Sequence, residues 1–179
     1  MAVAGSERAA DRESRLAEPS ANEKCTTERE TGQSSTAREP PTLRYARDMT
    51  IDYEWRGAFD NAELNALHAE GFGHRVLDDD WKGQVERWSL GWVCAREGGE
   101  LVGFVNVPWD GAVHAFILDT LVSGGARRKG IGSRLVEVAT EAARAAGCEW
   151  LHVDFDDELS PFYYESCGFK PAPAGLIAL

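Results

Sequence analysis

No aromatic residue occurs before Tyr45 in this 179-residue chain, and its first forty positions are mostly Ala, Ser, Thr, Glu and Arg, closed by Pro40-Pro41. Such a segment cannot bury enough apolar surface to offset its ordering entropy, so residues 1–48 are expected to form a disordered leader. The first convincing strand pattern begins at Ile51, directly after Met49-Thr50. Met49 is therefore a candidate start of translation. Long apolar runs are also missing, which excludes a membrane-spanning helix. The leader has no apolar core of a signal peptide and is too acidic for a mitochondrial transit sequence. Basic charge is scarce: residues 1–48 carry 8 and 9 of the chain's 19 Lys/Arg and 30 Asp/Glu, leaving 11 against 21 for the rest, a net of −10. That balance excludes general nucleic-acid binding, which needs a basic footprint. The four cysteines (Cys25, Cys94, Cys148 and Cys167) have neither metal-ligand spacing nor the density of a disulfide framework. A reduced, cytoplasmic protein with no membrane partner is the expectation.

What is present is ordered like an α/β domain. Ile51–Ala58 alternates as a strand, and Asp60 is placed to cap a helix carrying Leu64, Leu67 and His68 that ends near Gly71-Phe72-Gly73. A short helix is expected from Trp81 to about Trp88. Leu90–Arg96 and Leu101–Val107 read as a hairpin about Gly98-Gly99, followed by a strand over Val113–Val122. Ile131, Leu135, Val138, Ala142 and Ala145 recur at helical spacing, with Gly147 as the stop. Trp150–Phe155 reads as a strand, Leu159–Cys167 as a short helix, and Gly168-Phe169 as the start of the last extended segments. The expected order is β-α-α-β-β-β-α-β-α-β-β.

Between the strand ending at Val122 and the helix that follows lies Arg127-Arg128-Lys129-Gly130-Ile131-Gly132-Ser133. The first turn of a helix has unpaired N–H groups and partial positive charge, so a glycine-rich approach to it is an anion site. The spacing fits neither a Walker loop nor a dinucleotide fingerprint. Arg127-x-x-Gly130-x-Gly132 instead resembles the coenzyme A pyrophosphate loop of the GNAT N-acyltransferase superfamily. Phe162-Tyr163-Tyr164-Glu165-Ser166-Cys167-Gly168-Phe169 resembles that superfamily's second signature. The resemblance spans residues 49–179 and implies a mixed, mostly antiparallel sheet flanked by helices, with strands 4 and 5 splayed around the pantetheine arm of acetyl-CoA.

By that resemblance, Leu121 and Val122 would contact the arm, and Arg127, Arg128, Lys129, Gly130, Ile131, Gly132 and Ser133 would surround the pyrophosphate. Tyr164 falls on the tyrosine that protonates the departing thiolate. A phenol with an ordinary pKa of about 10 holds its proton at neutral pH and can donate it. Tyr163 is the neighbour to be told apart from it, and packing beside Phe162 and Phe169 is the alternative to catalysis for a tyrosine here. For the general base, the position that some members fill with Glu is Phe116. Asp119 is the first choice and Asp154 the second, while Asp119 and His114 have opposite strand parity, so one of them at most should face the substrate. Asp157 stands where the family often has an Asn that contacts coenzyme A, and a carboxylate lacks the amide's donors.

The implied activity is transfer of an acetyl group from acetyl-CoA to an amine of a small molecule or peptide. Asp78-Asp79-Asp80 and Trp81 suggest a cationic acceptor, by Coulomb attraction and a cation-π contact. His152-x-Asp154-x-Asp156 matches no specific metal motif, and no metal is expected. Two other readings stay open: a non-catalytic acyl-CoA sensor and a metal-dependent hydrolase. Sheet edges in this architecture also allow a homodimer.

Overall fold

The structure, a computed structural model, describes residues 50–178. The leader expected over residues 1–48 lies outside the described residues. Within them the chain forms β1 (Ile51–Trp55), α1 (Asn61–Phe72), α2 (Trp81–Trp88), β2 (Ser89–Glu97), β3 (Glu100–Pro108), β4 (His114–Val122), α3 (Ile131–Ala145) and β5 (Trp150–Val153). The five strands lie in sequence order, antiparallel except for the parallel pair β4–β5.

Local chemistry sets most of the boundaries. Asp60 caps α1 through Ala62 N, while Glu63 returns a hydrogen bond to Asp60 N, a capping box of the kind whose loss costs about 1 kcal/mol. Gly73 ends the helix in the left-handed region at φ 70°. The β2–β3 hairpin turns through Gly98 and Gly99, both at positive φ, as a tight two-residue turn requires. Helices cover the central strands on both sides, so β2 and β3 are buried along almost their whole length. On one side, Ile131, Leu135, Ala139 and Ala143 of α3 pack on Val93, Ala95, Val105 and Val107. On the other, Leu64 and Leu67 of α1 with Trp81 and Val85 of α2 pack on Cys94, Phe104 and Leu121.

The end of the domain differs from the expected order. After β5 come a 3-10 turn (Asp157–Leu159) and a π-helical turn (Pro161–Ser166), and no strand forms over residues 167–178. Pro171 and Pro173 alternate with Ala and Gly in this stretch, which leaves few backbone donors and little β-branched surface with which to join a sheet.

Candidate active site

β4 and β5 pair only between His114–Ile117 and Trp150–Val153, and the two then part while β4 runs on to Val122. A cleft of about 580 Å³ opens where they separate, lined by Gly71 and Phe72, Thr120–Val122, Arg127 and Arg128, Gly130–Ser133, and Leu159, Phe162 and Tyr163. The N-terminus of α3 forms its floor. Gly130 stands there at φ 78° with no side-chain cap on the helix, so the first-turn N–H groups have no side-chain acceptor. A Cβ at Gly130 would meet nothing within 4 Å, leaving room for a ligand to approach the main chain. Thr120 Oγ1, on the cleft wall, is buried beside the Tyr163 phenol. α1 is tied to this wall at its end, where Glu70 accepts from Gly124 N at 2.7 Å.

The three cations upstream of the glycines separate. Arg128, at φ 62°, lines the cleft. Arg127 also lines it, but its Nε donates to Val122 O at 3.1 Å and braces the strand end. Lys129 turns away to Glu97, with Nζ 3.1 Å from Oε1, and is absent from the cleft wall.

Asp119 adjoins the cleft beside Thr120 without lining it. Its position follows from a β-bulge: Asn106 stands opposite Leu118 and Phe104 opposite Leu121, so Asp119 and Thr120 together face Val105. Asp119 adopts φ 52°, uncommon for a residue with a side chain. The parity argument therefore fails here. The extra residue brings the Asp119 carboxylate round to α1, where Oδ1 lies 3.6 Å from His68 Nε2, on the same side of the sheet as the His114–His152 pair. Burial raises the Asp119 carboxyl above the usual carboxylate range, against the opposing pull of His68 and Asn106. Asp154, the second choice, is exposed on the chain leaving β5.

The two tyrosines point different ways. Tyr163 is buried, stacked on Phe155 at 4.5 Å and edge-on to Phe162 and Phe169, and it lines the cleft. Burial pushes its phenol up, while the Thr120 hydroxyl pulls the other way. Tyr164 lies edge-on to Phe155 and lines a separate concavity with His152, Phe155 and Phe169. The core packing offered as the alternative to catalysis thus belongs to Tyr163. A π-helical turn changes the angle between successive side chains, which periodicity does not reveal.

The family model for the acetyltransferase (GNAT) family matches residues 45–169. The chain belongs to the GNAT family. An acetyltransferase of this family from Streptococcus pneumoniae TIGR4 superposes with a TM-score of 0.60 at 21% identity, over 73% of this chain and 98% of that one. The aminoglycoside acetyltransferase AAC(6')-Iy, in complex with the bisubstrate analogue CoA-S-monomethyl-acetylneamine, gives 0.59 at 16% identity, over 73% and 97%. An aminoglycoside acetyltransferase from an uncultured soil metagenomic sample gives 0.56 at 21%, over 73% and 99%. No protein of curated function matches the chain in sequence. This GNAT domain also contains polar residues that pattern reading passed over. Asn65, buried in α1, uses both ends of its amide on Asn61 O, Asp79 N and O, and Trp81 Nε1, which fixes the α1–α2 connection. Trp81 is consequently only 5% exposed, and the cation-π face expected of it is closed. Asp80 is likewise committed, capping Gly83 N and accepting from Asn61.

Proposed function

We propose that this GNAT domain transfers an acetyl group from acetyl-CoA to an amine of a small molecule or peptide. The observation that carries this reading is the cleft that opens past the end of the β4–β5 pairing, with the uncapped N-terminus of α3 at its floor. These residues fit the co-substrate: free N–H groups and Arg128 suit a diphosphate, and the β4 main chain with Thr120 suits an amide-bearing arm. Acetyl-CoA, when bound, supplies the activated acyl group. The protein orients it, excludes water with Phe72, Leu121 and Phe162, and manages two protons. Asp119, beside the cleft, is the group we assign to draw a proton from the acceptor. Tyr163 is the phenol that faces the cleft and the donor the geometry favours for the leaving thiolate, whereas Tyr164 holds the motif position.

Phe116 and Leu118 of β4 and Trp150 of β5 are exposed, which favours an acceptor with apolar surface around its amine. The testing experiment is a thiol-release screen over amines of varied charge and hydrophobicity, run alongside thermal stabilisation by acetyl-CoA. Stabilisation with release is the expected result. Stabilisation without release from any amine would establish an acyl-CoA sensor instead, and no stabilisation would remove the reading.

A further inference from the structure

A chain of polar side chains crosses from the sheet to solvent on the α1 side of β4. Ser89 Oγ donates to Asn106 Oδ1 at 2.6 Å, which turns the Asn106 amide nitrogen toward Asp119. Asp119 Oδ1 lies 3.6 Å from His68 Nε2, and His68 Nδ1 lies 2.8 Å from His74 Nε2. His74 Nδ1 lies 2.6 Å from the Arg75 carbonyl. The His68 ring is held between Phe72 and Trp81, at 4.6 and 4.9 Å.

These contacts fix the tautomers. A carbonyl oxygen only accepts, so His74 Nδ1 carries a proton, and in neutral His74 the Nε2 must be an acceptor. His68 then donates from Nδ1, which leaves Nε2 as the basic nitrogen, aimed at a carboxylate. A lone pair facing a carboxylate 3.6 Å away is unfavourable, and uptake of one proton by the pair relieves it. We propose that Asp119 and His68 act as one base that is unprotonated before turnover and takes up a single proton, with His68 a positioning residue and His74 the clamp that sets its tautomer. The idea rests on the acetyltransferase reading for its role in turnover. The acceptor enters as R–NH₃⁺, one N–H bond breaks, and the nitrogen keeps the electron pair. The proton goes to the Asp119–His68 pair and is returned to solvent on the exposed His74 side. The titratable groups around His68 are Asp119 from β4 and His74 from the α1–α2 connection. The other facing side chains, Phe72, Trp81 and Asn106, do not titrate.

The test has two independent readouts. Nitrogen-15 NMR of the imidazoles across pH reads the tautomers without any turnover: His68 should carry its fixed proton on Nδ1, and Nε2 should titrate. His74→Ala should mix the tautomers. In steady-state kinetics, His68→Gln should lower kcat roughly ten- to a hundredfold with KM for acetyl-CoA unchanged. It should also move the acidic limb of kcat/KM to lower pH, since a lone carboxylate titrates below the pair. A fixed proton on Nε2, or a uniform fall in kcat with an unmoved acidic limb, would overturn the proposal. Absence of thiol release from every amine in the wild-type protein would instead count against the acetyltransferase reading, while the NMR result would still decide the His68 tautomer.

Discussion

A Cβ on Gly132 would stand 3.1 Å from the Phe162 ring. The glycine loop and the aromatic signature, distant in sequence, therefore meet at the wall of one cleft. Neither segment can be altered there without disturbing the other.

Gly132→Ala should push Phe162 by a few tenths of an ångström and leave the fold intact. The expected result is a KM for acetyl-CoA raised roughly tenfold and a smaller thermal stabilisation by acetyl-CoA. Unchanged values for both would show that the contact is slack.

Tyr163→Phe and Tyr164→Phe separate the two phenols. If the cleft-facing hydroxyl donates the proton, Tyr163→Phe should lower kcat on the order of a hundredfold with little change in stability, because the ring packing is kept. Tyr164→Phe should then stay near wild type. The opposite pattern, read by thiol release, would return the role to the motif position.

Arg128 and Lys129 should behave differently despite their adjacency. Arg128→Ala should raise the KM for acetyl-CoA roughly three- to tenfold, an effect that shrinks at high ionic strength. Lys129→Ala should change it by less than about twofold, because a charge engaged with Glu97 at the surface contributes little.

Asp119→Asn should alter the pH dependence of stability. The Asp119 carboxyl is raised by burial, so between its unfolded and folded pKa values the folded state binds more protons than the unfolded state. Wild-type stability thus contains a contribution that is present in acid and lost as pH rises through the folded value. The Asn variant lacks this loss. Its Tm relative to wild type should rise from acid toward neutral pH, and calorimetry across that range checks the sign.

Much of this domain was legible in the sequence because its information is local. Asp60 with Glu63, Gly98-Gly99 and the apolar spacing of α3 each act within a few residues, and helix caps, tight turns and amphipathic faces follow from chemistry at that range. The glycine loop and the aromatic signature were legible for the same reason. Tertiary structure decided what depends on registers between distant segments. The bulge that turns Asp119 toward His68 exists because β3 and β4 pair with one residue extra on β4, and no property of Asp119 itself announces it. The π-helical turn that separates Tyr163 from Tyr164, and the pull of Glu97 on Lys129, likewise arise only when remote elements are packed together. Sequence by itself determined the family and the glycine loop at the start of α3. Packing decided that Asp119 meets His68 and that Tyr163 rather than Tyr164 lines the cleft, because side-chain direction is set by backbone geometry that neighbouring elements impose.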